Sequence, residues 1–563
     1  MAHGPSTTSE IPTNIPHASL SSQQPNASVH YPDLMESRYY YWGIHSTPPL
    51  LVRSSINATW QQPYGYHANP KMKEIRPFES HAIQAVWEGN LALRILDILD
   101  SHHIQWTSID VFRFGWVNES PSFPTLWIGV KKPEGFDSMG DEEKERYLHQ
   151  LGAVIPECLK LLRQYDILDV EVEIRHSVVT RCMQLKTPNY SDVCPDARSP
   201  FTTAVGHPIG SDLHDHRGSG GFFFTAEGKD NRLLLVTCGH IFNDGHDNLL
   251  YDNRNHAQAP RNVVLIGGDA AFESYVKDHK QKVKHEADLF NALVGGIGPP
   301  GSDSAEYRKR IQDSLERRME LSRISWELQK SWDTIYKRTL GRVVLLPPNN
   351  TEPTTRVSPK AQIPAVDAPY PDDWAVIEVD SSKVNGANFT SNILDLGNKF
   401  SFSDRIQMFG GEAPASSPDR LLRLRGPISE TKMNRPFKVL KRGLGTNVTV
   451  GQSNPTGLCS YFRFLPNTDS GRIEQSVRLK GWAIVPIPDL IGRQGAFSGG
   501  GDSGSVVVDP KGRLGGIIFG GSSTEEGSPQ YISYAIPLFH LHKRMEDFGL
   551  GDPDFEPVLS RRI

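Results

Sequence analysis

Three short stretches of this chain carry groups that could act together as a nucleophile, a base and an orienting acid. The first is Phe497 to Val508, FSGGGDSGSVVV. A glycine-rich approach leads to Asp502-Ser503-Gly504-Ser505 and then to the β-branched run Val506 to Val508. An Asp-Pro-Lys-Gly turn and a second apolar run, Leu514 to Phe519, follow. This pattern predicts a hairpin with Ser503 at its sharp entrance. A serine hydroxyl is a weak nucleophile until a neighbouring base accepts its proton, and that base needs a third group to hold it. His240 is a candidate base: it ends the run Leu233 to Gly239, LLLVTCG, where small residues let a buried strand turn tightly and present an imidazole at its end. Asp372 and Asp373 precede the alternating run Trp374-Ala375-Val376-Ile377-Glu378-Val379, and either carboxylate could sit below a histidine. Asp373, directly before Trp374-Ala375, is the preferred one.

The elements that must position these groups are legible in outline. Residues 1–74 read as a largely disordered tail. The first 32 are rich in Ser, Thr, Pro, Asn and Gln, with too few apolar positions to offset their ordering entropy. Tyr39 to Trp42 should pack on something, but the stretch shows no period. Residues 75–182 read as a small α/β (α+β) domain. A helix starts near Ser80, strands cover Ile109 to Phe114 and Thr125 to Val130, a second helix spans 141–165, and Val170, Val172 and Ile174 alternate as a half-buried strand. Asp169, Glu171 and Glu173 are then expected on a solvated face. A linker is expected at 183–200. Short β runs fill 201–545, interrupted by a helical insert at about 268–340. Within the insert, Tyr307 to Ile335 keep a spacing of three or four, with Ser302 or Ser304 as N-cap and Gly341 as stop. Residues 546–563 read as a C-terminal tail.

The order His240, Asp373, Ser503, on VTCGH, DWAVIEV and GDSGS, resembles that of the trypsin-like (chymotrypsin-fold) serine proteases. A fourth match is Lys438 to Gly451, KVLKRGLGTNVTVG, similar to a strand-turn-strand in the second barrel of bacterial and fungal members. The resemblance covers 200–545, and the layout resembles fungal multidomain proteins with a C-terminal trypsin-like peptidase domain. It implies an all-β double barrel carrying the helical insert and a serine endopeptidase acting through an acyl-enzyme. Between that enzyme and a silent scaffold stands a compromise, a peptidase latent until its N-terminal domain is released. The resemblance implies His240 as base, Asp373 as orienting acid and Ser503 as nucleophile. The amides of Gly501 and Ser503 become the oxyanion donors, and Phe519, Gly520 and Gly521 the edge that pairs with substrate. The chain departs from secreted trypsins in three ways: Ile241 stands where they have a cysteine after the histidine, the interval from His240 to Asp373 is longer, and no propeptide is evident. Asp502 thereby lacks the new N-terminus that it would otherwise meet. The absence of an acid in Ala496 to Ser498 disfavours cleavage after Arg or Lys and favours a small or apolar residue.

Composition narrows the partners. A net charge of −5 with dispersed Lys and Arg argues against nucleic acid and anionic membrane; a protein or peptide substrate is what the resemblance implies. Five scattered cysteines without a CxxC read as reduced thiols. No secretory signal or membrane span is evident, so an intracellular, cytoplasmic place is expected, with no cofactor and no metal. His207, His214 and His216 cluster in sequence without further ligands at zinc spacing. Gly296 to Gly301 matches a dinucleotide fingerprint formally, but Pro299 and Pro300 stand where a helix should begin, so it reads as a loop. Lys277 to Lys284 reads as a solvated helix face. The rival to an enzyme is a catalytically silent interaction scaffold on a protease fold, suggested by the helical insert and the N-terminal domain.

Overall fold

A computed structural model describes residues 29–54, 60–64, 69–119, 122–182, 204–211, 216–226, 232–243, 251–252, 262–295, 305–348, 368–380, 382, 392–396, 421–465, 477–489 and 492–557. The expected linker 183–200, the loop at 296–301, His214 and both proposed N-caps lie outside them. Seven strands come from the N-terminal region: β1 (Val29–His30), β2 (Leu50–Ser54), β3 (Lys73–Arg76), β4 (Trp106–Trp116), β5 (Phe123–Val130), β6 (Glu171–His176) and β7 (Val178–Arg181). Eight follow in the first β region: β8 (Pro208–Ser211), β9 (Arg217–Ser219), β10 (Phe223–Phe224), β11 (Leu234–Thr237), β12 (Tyr251–Asp252), β13 (Val263–Ile266), β14 (Thr339–Leu346) and β15 (Ala375–Val379). The remainder are β16 (Ile393–Asp395), β17 (Leu421–Arg423), β18 (Arg425–Pro427), β19 (Lys438–Gly443), β20 (Asn447–Ser453), β21 (Ser460–Phe462), β22 (Leu479–Pro486), β23 (Val506–Val508), β24 (Arg513–Ser523) and β25 (Ile532–Pro537).

Strands β19, β20, β22, β25, β24 and β23 pair in that order, and β23 returns to β19, so six antiparallel strands close on themselves. Closure leaves no free edge within the ring and lets alternate side chains fill the interior. Strands β10-β11-β15-β14-β13-β8-β9 form a second antiparallel sheet that remains an open half-barrel. Two helices, Asp269–Val294 and Ala305–Ser331, interrupt it between β13 and β14. They pack on each other, with the His279 ring bonded to the Leu321 carbonyl and Ser314 donating to buried Glu286. The second ends well before Gly341, which instead sits inside β14.

The N-terminal sheet runs β1-β2-β6-β5-β4, with helices Ala92–Ser101 and Asp141–Arg163 burying Ile95, Leu99, Leu151, Ile155 and Leu162 against it. It departs from the sequence reading in two respects. Strand β2 lies in the stretch expected to be tail, yet all five of its residues are buried between β1 and β6. Glu171 and Glu173, expected on a solvated face, are buried; Glu173 accepts hydrogen bonds from Tyr40 and Tyr41. The alternation was real, but the sheet is covered on both faces, so both sets of side chains turn inward. The C-terminal stretch is also less of a tail than expected: Phe555 is buried, and Asn392 donates to its carbonyl.

The N-terminal sheet is continuous with the closed barrel. Strand β21 pairs with β4 on one side and β22 on the other. Behind this join, Arg175 of β6 is wholly buried, paired with Asp110 at 2.7 Å and lying 3.5 Å over the Trp127 ring. Tyr531 and Tyr534, from the barrel, donate or accept within the same cluster. A buried ion pair is costly to desolvate and becomes tolerable only with its remaining donors and acceptors satisfied, as they are here. Among the described residues no helix is long and apolar enough to cross a membrane.

Candidate catalytic site

The pairing of β11 with β15 places Thr237 opposite Ala375. His240 lies three residues beyond Thr237 in a short turn, and Asp373 two residues before Ala375, so the antiparallel register brings them to the same end of the half-barrel. Asp373 Oδ1 accepts the His240 backbone N–H at 2.8 Å, and Oδ2 meets His240 Nδ1 at 2.5 Å. His240 Nε2 lies 2.8 Å from Ser503 Oγ. Burial alone would push the Asp373 carboxyl up; the His240 ring, the hydrogen bonds from His240 and the charge of Arg181 outweigh it and hold the carboxyl below its usual range. The neighbouring Asp372 points elsewhere, forming a two-pronged pair with Arg544 at 2.8 Å on each prong. Geometry thus separates the two acids that the sequence left adjacent.

Ser503 comes from the closed barrel, three residues before β23. Its loop is clamped to the half-barrel by Ser219, whose amide donates to the Ser503 carbonyl at 2.7 Å and whose hydroxyl donates to the Gly501 carbonyl at 2.9 Å. Gly501 has φ +93°, a left-handed conformation that glycine adopts without strain. The buried Asp502 carboxylate finds a cation in Lys441 of β19, 2.9 Å away and equally buried. It also accepts hydrogen bonds from the amides of Gly499, Gly445 and Thr446 and from the Thr446 hydroxyl. Lys441 lies in the strand-turn-strand that carries the fourth match, and nothing local in the sequence connects it to Asp502. No periodicity could do so; the two are joined only when β19 and β23 pair.

The cleft beside Ser503 is occupied by the chain itself. Strand β7 runs antiparallel along β24, with Arg181 opposite Gly520, Thr180 opposite Gly521, Val179 opposite Ser522 and Val178 opposite Ser523. Past β7, the Cys182 amide donates to the Phe519 carbonyl at 3.1 Å, and the Cys182 carbonyl accepts the Gly501 N–H at 2.6 Å. The Cys182 thiol lies 3.4 Å from Gln530 Oε1 and 3.7 Å from Ser498 Oγ. Burial, with the charge of Asp502, pushes this thiol up to about 12, so it sits in the pocket as a neutral group. His240 is 1% exposed and Ser503 0%. The edge Phe519-Gly520-Gly521 and the Gly501 amide, expected to receive a substrate, are therefore both engaged.

Cys238, His240 and Asp373 offer three potential metal-ligand atoms within 4.8 Å of one another. The set suits a metal poorly. Both His240 ring nitrogens are already hydrogen-bonded, and the Cys238 thiol, pushed well up by burial, donates to the Ile518 carbonyl. His207 is buried, with Nδ1 2.7 Å from the Ala204 carbonyl. The four described cysteines, Cys158, Cys182, Cys238 and Cys459, are free and buried.

No family model matches this sequence, and no curated protein matches it.

Proposed function

We propose that the chain is a serine endopeptidase of the trypsin-like type, with the half-barrel and the closed barrel as the two halves of its catalytic unit. The observation that carries this reading is the continuous hydrogen-bonded line from Asp373 through His240 to Ser503, drawn from both sheets. In this mechanism Ser503 Oγ attacks a peptide carbonyl while His240 Nε2 takes its proton. Asp373 holds the imidazole tautomer and stabilises the imidazolium. The Gly501 N–H stabilises the oxyanion, a role whose loss typically costs about 100–1,000-fold in turnover. Lys441 and the amides around Asp502 hold that loop in shape without a clipped N-terminus. A substrate strand would lie along Phe519-Gly520-Gly521, and the pocket near Ser498 and Gln530 favours a small, uncharged side chain.

A second reading, a silent interaction scaffold, is favoured by one observation: the cleft is filled from within the chain. The test is fluorophosphonate labelling of the full chain and of Cys182→Arg, which puts a long cation where a small neutral thiol lies against Ser498 and Gln530. Labelling that disappears on Ser503→Ala supports the peptidase. A folded Cys182→Arg protein that resists the reagent refutes it and leaves the scaffold.

A further inference from the structure

We propose that the peptide bond on the carboxyl side of Cys182 is a substrate of this site, cut by Ser503 of the same molecule. The inference rests on the peptidase reading and goes beyond it by naming a substrate. Three independent features of a bound substrate coincide at residues 178–182. The first is backbone pairing: β7 lies along β24 as an added antiparallel strand, and the Cys182 amide continues the ladder to the Phe519 carbonyl. Gly520 is needed for this approach, because a Cβ there would meet the Thr180 carbonyl at 2.5 Å. The second is polarisation: the Cys182 carbonyl accepts the Gly501 N–H, the donor assigned to the developing oxyanion. The third is side-chain capture, with the Cys182 thiol held between Ser498 and Gln530. A strand that merely plugged a cleft would need the first feature only. All three together define one residue, Cys182, as the one whose carbonyl carbon faces attack.

The chemistry balances with water as the only co-reactant. Ser503 Oγ adds to the Cys182 carbonyl carbon, and its proton passes to His240 Nε2. The C–N bond to Met183 then breaks as His240 returns that proton to the leaving amine, and an ester joins Cys182 to Ser503. Water, deprotonated by His240, adds to the ester. Cys182 leaves as a carboxylic acid that ionises, and Ser503 recovers its proton. The products are residues 1–182, ending at Cys182, and the remainder, beginning at Met183. Because the strand is held in its own cleft, the reaction needs no encounter between molecules.

The test follows the purified full chain by intact mass and N-terminal sequencing at neutral pH. Fragments of about 20 and about 42 kDa are expected from the 62.8 kDa chain. The new terminus should be Met183, and the first-order rate should be independent of protein concentration. Ser503→Ala should stay whole, and Cys182→Arg should be cut at this bond at least about 10-fold more slowly, the discrimination that a mismatched pocket typically supplies. A wild-type chain that stays whole, while Cys182→Arg takes the fluorophosphonate at Ser503, overturns self-cleavage and leaves the peptidase standing. If Cys182→Arg also refuses the reagent, both readings fall. A rate that rises in proportion to concentration overturns the intramolecular step.

Discussion

Replacing Lys441 by Met isolates the interaction that keeps the Ser503 loop in shape. Both members of the Lys441–Asp502 pair are 0% exposed, so removing the ammonium leaves a carboxylate with no counter-charge and no route to water. Breaking a buried pair in this way costs about 3–5 kcal/mol. Asp502 keeps four donors, from Gly499, Gly445 and both groups of Thr446, which places the expected loss near about 3 kcal/mol, the lower end of that range. Urea unfolding should show the midpoint falling with an unchanged slope. Adding Asp502→Asn removes the orphaned charge, and the double variant should recover at least about half of the loss, since two neutral partners cost far less than one stranded ion. The same loop carries the Gly501 amide, so fluorophosphonate reaction at Ser503 should slow by about 100-fold or more in the single variant. A single variant that loses less than about 1 kcal/mol, or a double variant no more stable than the single, would refute the reasoning.

Asp373→Asn should lower peptidase turnover by about 10,000-fold, because the amide favours the wrong His240 tautomer. Asp372→Asn should leave turnover within about 3-fold and cost less than about 1 kcal/mol, since its pair with Arg544 is partly exposed; equal losses from the two would be incompatible with the geometry. Acid should destabilise the fold through His207, whose burial lowers it from 6.5 to about 4. Between those values the unfolded chain binds a proton that the folded chain does not, so stability is complete above pH 6.5 and declines towards pH 4 by up to about 3 kcal/mol. His207→Gln should flatten the pH dependence of unfolding by a similar amount, and an unchanged profile would count against it.

The sequence carried the site's members well and its surroundings badly, for physical reasons. Ser503, His240 and Asp373 stand at strand ends marked by small residues or turns, and such punctuation is local. Of the closed ring, the runs Val506 to Val508 and Leu514 to Phe519 were legible as a hairpin because a polar Asp-Pro-Lys-Gly turn separates them, and the closure of six strands was not. What escaped were relations made only by pairing. Ser219 clamps the Ser503 loop although it is an unremarked serine in a Gly-rich stretch, and Lys441 finds Asp502 across two strands. Strand β2 escaped because Leu50-Leu51-Val52 is buried on both faces, and a continuous apolar run of that length shows neither the helical nor the strand period. Glu171 and Glu173 were placed on the wrong side of the water for the same reason: alternation of type does not reveal whether a second layer covers the polar face.

The position of β7 ties the N-terminal sheet to the cleft more closely than a tethered domain would. Only Ser177 separates β6, held in the N-terminal sheet between β2 and β5, from β7, held along β24. Ser177 itself is pinned, its hydroxyl accepting from Tyr531 at 2.8 Å, and Arg175 two residues earlier is locked to Asp110. Release of the N-terminal unit as a whole would therefore require breaking the β4–β21 ladder and the hydrogen bonds that Tyr531 and Tyr534 of the barrel make to the buried Arg175–Asp110 pair. Lifting Val178 to Cys182 alone breaks one edge ladder and empties one pocket. On the peptidase reading, access to Ser503 is governed by this five-residue segment, with the N-terminal sheet as its fixed anchor. A cut after Cys182 would change that balance, because it frees the segment's far end while its near end stays held at Ser177.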